Sequence, residues 1–205
     1  MCGRYFFDES TAGEIEDELK LERGSVAMMA GDVTPGMSPV VLTAPRIGTG
    51  FGEVAGTAEM GSICVYNMFW GMTGKDNKLI INARSESASQ KALFSDSVER
   101  RRCLMPAAGF YEWDKDKNKV TFFRKDRSPI YLAGFYTLSD NKESFVILTT
   151  AANESMIKVH DRMPLMIEKD DVKDWLNNGV AAKEMLTRKM PLLESSRDYE
   201  QLSLF

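Results

Sequence analysis

The sequence predicts an α+β fold: a mixed, largely antiparallel β-sheet or barrel-like core with flanking helices, in a single domain. Three observations carry this. Short runs rich in β-branched and aromatic residues recur along the chain between turn-forming residues. Helical patterning is confined to a few brief stretches, and many short strands with a few helices is the α+β pattern. The 205 residues hold no repeat, low-complexity linker or charge block, and that length can bury a sizeable core.

In chain order, Tyr5 opens a strand-like segment. Ser10 to Glu22 reads as a short acidic helix, with Ile15 and Leu19 one turn apart and Lys20 in its last turn. Gly24 to Pro39 reads as loop, with Met28, Met29 and Met37 scattered through it, followed by a short buried strand to Leu42. Five glycines (48, 50, 52, 56 and 61) and Pro45 mark a hairpin or flexible loop. Gly48-Thr49-Gly50-Phe51-Gly52 has the wrong spacing for a kinase glycine loop, and no strand lysine or Asp-Phe-Gly follows. Ile63 to Trp70 and Leu79 to Ile81 are strands, and Ser85 or Ser87 caps a helix running to about Phe94. Arg102 begins a strand that turns at Pro106-Ala107-Ala108-Gly109 into Phe110 to Trp113. Asp116 to Lys119 is a polar turn, and Val120 to Phe123 pairs back. Ile130 to Tyr136 and Phe145 to Thr150 are strands; Asn153 to Val159 is a helix; His160 to Pro164 is a loop before a strand at 165–167. Helices at 170–177 and 181–188 close a domain of residues 1–195, with 196–205 as a tail.

Apolar residues make up 43% and charged residues 27%, as in ordinary soluble proteins. Thirty acids against 26 bases give a net charge of -4, so no global basic footprint for nucleic acid exists and any anion site is local. Cys2, Cys64 and Cys103 are too few and too widely spaced for a disulfide framework or a zinc site, which fits a reducing compartment. No secretory h-region or membrane-length apolar run is visible, so a cytoplasmic protein with no membrane partner is expected.

The chemistry-bearing residues lie in four places. Cys2 follows the initiator Met1; once Met1 is removed it presents a 1,2-aminothiol, with a thiol of pKa ~8.5 beside an amine of pKa ~7.7–8. An aldehyde caught by such a group forms an imine, and the sulfur closes it to a thiazolidine. Asn82-Ala83-Arg84-Ser85-Glu86 carries an amide and a cation suited to a phosphate. Glu112 stands among aromatics in Phe110-Tyr111-Glu112-Trp113, where an apolar surround favours acid–base work. His160 is the chain's one histidine, with Asp161 beside it to orient the ring. Taken singly, each has an ordinary explanation: a small start residue, a structural ion pair, an outward strand position, a loop imidazole.

Together they resemble the SOS response-associated peptidase family of abasic-site-processing proteins. The resemblance rests on Met1-Cys2-Gly3-Arg4-Tyr5, Phe69-Trp70-Gly71, Asn82 to Glu86, Arg102 to Trp113, Thr149-Thr150-Ala151-Ala152-Asn153 and His160-Asp161-Arg162-Met163-Pro164, in the family's order. It departs at Met72-Thr73-Gly74 and at Asp32. The resemblance implies an abasic-site sensor on single-stranded DNA in the damage response, acting without cofactor or metal. It casts Cys2 as nucleophile, exposed by removal of Met1 through self-processing or by an aminopeptidase. Asn82 and Glu112 become active-site polar groups and His160 a proton-transfer residue. Arg4, Arg84 and Arg162 become DNA contacts, and Trp70 an aromatic that stacks on a base. The tail residues Gln201, Leu202, Leu204 and Phe205 resemble the pentapeptide by which bacterial proteins bind the replication sliding clamp; otherwise a monomer is expected. Two rivals remain at this level: an N-terminal-nucleophile hydrolase that uses the Cys2 amine as base, and a non-catalytic single-strand-binding adaptor.

Overall fold

A computed structural model describes residues 2–26, 30–46, 61–74, 77–139 and 142–197. Met1, Met28, Met29, most of the glycine-rich loop and tail residues 198–205 lie outside the described residues. The chain opens with β1 (Tyr5–Phe7) and α1 (Glu9–Leu19). Asp8 caps α1: its backbone is extended and its carboxylate accepts from Thr11 N–H at 2.8 Å. Lys20 ends the helix in the left-handed region at φ 56°. The Glu16 carboxylate then accepts from Val26 N–H at 2.9 Å, tying the following loop to the helix.

Next come β2 (Gly31–Val33), β3 (Val40–Thr43), β4 (Cys64–Asn67), β5 (Phe69–Trp70), β6 (Met72–Thr73), β7 (Leu79–Ile80) and β8 (Asn82–Arg84). Two short helices follow, α2 (Ser85–Ala88) and α3 (Ser95–Arg100). The middle is β9 (Arg102–Ala107), β10 (Gly109–Trp113), β11 (Lys119–Phe123), β12 (Ile130–Ser139) and β13 (Lys142–Ala151). The chain closes through β14 (Arg162–Pro164), β15 (Met166–Ile167), α4 (Val172–Asn177), α5 (Gly179–Met185) and β16 (Glu194–Arg197).

Among the described residues these strands form a five-stranded antiparallel sheet, β16-β11-β10-β1-β2, and a nine-stranded sheet whose main path is β14-β13-β12-β9-β3-β4. Only β5 and β8 run parallel to a neighbour, both along β13. The α+β reading with largely antiparallel sheets therefore holds. One apolar core joins residues of both sheets, from Tyr5, Phe110 and Phe122 to Leu104, Phe135 and Phe145.

Several expectations change. The turn at Pro106–Gly109 is instead a passage between sheets: β9 stays paired to β12 through Ala107, and β10 begins at Gly109. Ala108 N–H donates to Phe6 O at 2.9 Å at the crossing. β3 pairs β9 only at Leu104 and Cys103, so Pro106 can turn its hydrogen-less nitrogen toward an edge with no ladder bond to lose. A Cβ on Gly109 would stand 2.5 Å from Phe122 O and 2.7 Å from the Phe6 ring, so only glycine fits there. The expected helix at 85–94 is interrupted and resumes as α3. The expected helix at 153–159 is a run of turns pinned by Asn153 and Met156 carbonyls. The loop at 160–164 ends in β14, and β2 and β16 appear where no strand was expected. The ladder of β16 on β11 reaches Arg197, two residues past the expected domain boundary.

Candidate active site

Cys2 is placed by the strand that follows it. Tyr5 pairs with Phe110 and Phe6 with Gly109, and Tyr111 N–H donates to Arg4 O at 2.9 Å. The same antiparallel register sets Gly3 opposite Glu112. Alternation along β10 turns Phe110 and Glu112 to the buried side, leaving Tyr111 and Trp113 on the outer face. From the other sheet, Asn82 at the start of β8 donates Nδ2–H to the Cys2 carbonyl at 2.9 Å. Three sequence-distant residues, Cys2, Asn82 and Glu112, thus converge.

The environment sets the state of the thiol. Cys2 is fully buried, and burial pushes its pKa well above the ordinary value. The negative charge of Glu112 pushes the same way, against weaker opposition from the positive N-terminus and a hydrogen bond from the Arg4 backbone. Near neutral pH the sulfur is therefore a neutral thiol. Asn82 Oδ1 is also buried and has no hydrogen-bond partner among the described residues.

A second group of predicted residues gathers at the C-terminal end of β13. β8 runs parallel to it, pairing Ile147 with Asn82 and Thr149 with Arg84; β14 runs antiparallel, pairing Ala151 with Arg162. Arg84 is exposed and makes no ion pair among the described residues. The Arg162 guanidinium forks onto Glu86 at 2.7 and 2.8 Å, and Nη2 also donates to Thr149 O. These bonds hold the Glu86 carboxyl below its ordinary pKa. Arg162 N–H donates to His160 Nδ1 at 2.9 Å, and an Asp161 oxygen lies 3.0 Å from the same nitrogen.

One site expectation is corrected, and two of the expected cations are found in ion pairs. Trp70 offers no face to a base. It is fully buried, its ring lies between Tyr5 (centroids 5.4 Å apart) and Phe145 (5.9 Å), and its Nε1–H donates to Ile81 O at 3.1 Å. Arg162 is not a free cation, since its fork is occupied by Glu86 and its side chain is 13% exposed. Arg4 lies on the outer face, 3.5 Å from Asp32 and 5.4 Å over the Trp113 ring. Of the expected cationic track, only Arg84 lacks an acidic partner among the described residues. Glu86 and Thr149 were given no role from sequence, although both stand in the recognised segments. Only the pairing of β8 and β14 on β13 reveals one.

Among the described residues no group of three His, Cys, Asp or Glu side chains is arranged to hold a metal ion, and no helix is long and apolar enough to cross a membrane.

The model of the SOS response associated peptidase (SRAP) family matches residues 1–203. The abasic site processing protein YedK of Escherichia coli is 32% identical over 126 residues, 57% of this chain and 57% of the relative. YoqW of Bacillus subtilis, also called an abasic site processing protein, is 36% identical over 123 residues, 53% of this chain and 55% of that one. The Xenopus tropicalis protein HMCES, of the same description, is 26% identical over 140 residues, 54% of this chain and 42% of its own. These matches span about half the length of the curated relatives. A solved phage-related protein of Bordetella bronchiseptica superposes with a TM-score of 0.73 at 21% identity, covering 96% of this chain and 93% of that one. A protein of Bacteroides thetaiotaomicron gives 0.70 at 17% identity, covering 97% and 93%. At those identities the two structures speak to the fold alone.

Proposed function

The chain belongs to the SOS response associated peptidase family, and from that premise we propose that it captures abasic sites in single-stranded DNA as a covalent thiazolidine through Cys2. The observation that supports this best is the meeting of Asn82 and Glu112 at Cys2.

The chemistry follows from the state of each group. An abasic deoxyribose is mostly a closed hemiacetal with a small open-aldehyde fraction. His160 delivers a proton to the ring oxygen as the C1′–O4′ bond breaks, and the anomeric hydroxyl gives up its own proton to water, leaving the open aldehyde. The Cys2 amine adds to C1′ and water leaves, giving an imine. Asn82 holds the Cys2 carbonyl, and with it the amine, so that attack is effectively intramolecular. The thiol is neutral in its buried place, so ring closure needs a base. Glu112 takes the sulfur proton as the S–C1′ bond forms and passes it to the nitrogen. Arg84 supplies the free cation for a neighbouring phosphate. Because an acylated nitrogen cannot form an imine, Met1 must first be removed, and we assign that peptidase step to the Cys2 thiol itself. The tail residues Gln201, Leu202, Leu204 and Phe205 bring the protein to the replication clamp by filling an apolar pocket. Loss of saturable clamp binding on deleting them is the corresponding check.

Mass spectrometry of the processed protein after incubation with abasic single-stranded DNA tests the main reading. A covalent adduct that vanishes in Cys2→Ala is expected. No adduct with wild type, or one that persists in Cys2→Ala, overturns it. Amide turnover without DNA would instead favour the hydrolase. DNA affinity indifferent to the thiol, with no covalent product, would favour the adaptor.

A further inference from the structure

Arg162 makes two separate sets of bonds. Its side chain forks onto Glu86 at 2.7 and 2.8 Å and reaches the Thr149 carbonyl. Its backbone N–H points at His160 Nδ1 at 2.9 Å. A ring nitrogen that accepts a hydrogen bond carries no proton of its own, so this contact places the proton of the neutral imidazole on Nε2. Asp161 asks for the opposite. Its carboxylate oxygen lies 3.0 Å from the same Nδ1 and can only accept, which favours a proton there. The two neighbours of one nitrogen therefore select different tautomers. Asp161 is largely exposed and held by little else, whereas Arg162 is anchored on both sides. The β14 ladder sets it opposite Ala151, and the fork on Glu86 fixes its side chain.

We infer that Glu86 is a positioning residue: by clamping Arg162 it keeps that residue's N–H on His160 Nδ1 and so holds His160 as the Nε2–H tautomer. In that tautomer Nε2 carries the proton that the proposed transfer delivers. Without the clamp, Arg162 shifts, Asp161 captures Nδ1–H, and the donor is turned back onto the loop. Glu86 touches no substrate in this scheme and acts only through Arg162. The inference rests on the reading of His160 as the proton-transfer residue, but the tautomer is measurable without DNA.

The chain has one histidine, so long-range 1H–15N NMR of the full-length labelled protein reports a single imidazole. With the imidazole neutral, wild type is expected to show the Nε2–H pattern. Glu86→Gln keeps the shape but removes the charge, and Glu86→Ala removes the clamp. Both are expected to raise the Nδ1–H population several-fold, and Asp161→Asn in the same background to reverse the change. Adduct formation should slow in step with the tautomer. An unchanged Nε2–H pattern in both Glu86 variants, with dispersed spectra that show them folded, overturns the inference, as does an Nδ1–H pattern in wild type. A shifted tautomer with an unchanged adduct rate supports the positioning role and overturns the use of His160 as proton donor.

Discussion

The side-chain amide of Asn82 donates to the backbone carbonyl of Cys2 across 2.9 Å and so ties the nine-stranded sheet to the start of the chain. It restrains a segment that precedes the first strand, where termini are otherwise loosely held. Replacing Asn82 with Ala is expected to reduce stability by about 0.5–1.5 kcal/mol, the net worth of a neutral hydrogen bond. Adduct formation should slow by roughly tenfold or more, since 1.4 kcal/mol is a factor of ten. Asn82→Asp should be worse, because a carboxylate facing the Cys2 carbonyl has no proton to donate. Single-turnover gel assays beside denaturant melts separate the two effects.

Two buried thiols make stability fall with alkalinity. Burial raises the pKa of Cys2 and of Cys103 in the folded state, so folded protein keeps protons that unfolded chain releases near pH ~8.5. The stabilising contribution is complete below that pH and is lost as pH rises toward the folded values. Each thiol should contribute a slope of about 1.4 kcal/mol per pH unit. Tyr5 and Tyr131, also raised by burial, add to the decline above pH ~10. Denaturant melts from pH 7 to 10 check this, and Cys2→Ala should remove one thiol's share of the slope; an unchanged slope counts against the assignment.

Trp70 is expected to act on stability rather than on DNA. Truncation to Ala should cost about 3–5 kcal/mol, as for other buried aromatic residues. Trp70→Phe preserves packing between Tyr5 and Phe145 but leaves the Ile81 carbonyl without its donor, at about 1–3 kcal/mol. DNA affinity of the folded fraction of Trp70→Phe should match wild type by fluorescence anisotropy.

Arg84 and Arg162 should separate cleanly. Arg84→Ala should leave the melting temperature unchanged and lower the salt dependence of single-strand binding by about 0.7 in log–log slope, one phosphate contact. Arg162→Ala leaves Glu86 without its partner and should lower the melting temperature. Salt titrations of binding and thermal melts on the two variants decide the point.

At Gly109 the sheets meet so closely that Gly109→Ala is expected to destabilise by at least about 1–3 kcal/mol. A Cβ there meets a backbone carbonyl at 2.5 Å, and a carbonyl in a ladder has little room to move. The strain falls three residues before Glu112, so the folded fraction of this variant should also crosslink slowly in the mass-spectrometric adduct assay.

Strands were legible wherever β-branched and aromatic residues cluster, as at Phe145 to Thr150 and Ile130 to Tyr136. Those residues both favour extended backbone and bury well. Elements held by particular tertiary bonds were not. The segment 153–159 has a helix-like pattern, but Asn153 Nδ2 is spent on the carbonyls of Met190 and Pro191, and the backbone closes only turns. β16, reading Glu194-Ser195-Ser196-Arg197, has no apolar signal because all four residues are exposed and only the ladder on β11 makes it a strand.

By itself the sequence determined the fold class and singled out Cys2, Asn82 and Glu112, because those depend on residue type and order. Only the tertiary structure decided which partner each polar residue has. Trp70 lost its base-stacking role because both its faces were filled, and Arg162 lost its free charge because β8 and β14 flank the same strand and set Glu86 against it. Partnership of this kind is a property of which strands become neighbours. Residues 86 and 162 meet through the pairing of β13, and no local pattern in either segment encodes that meeting.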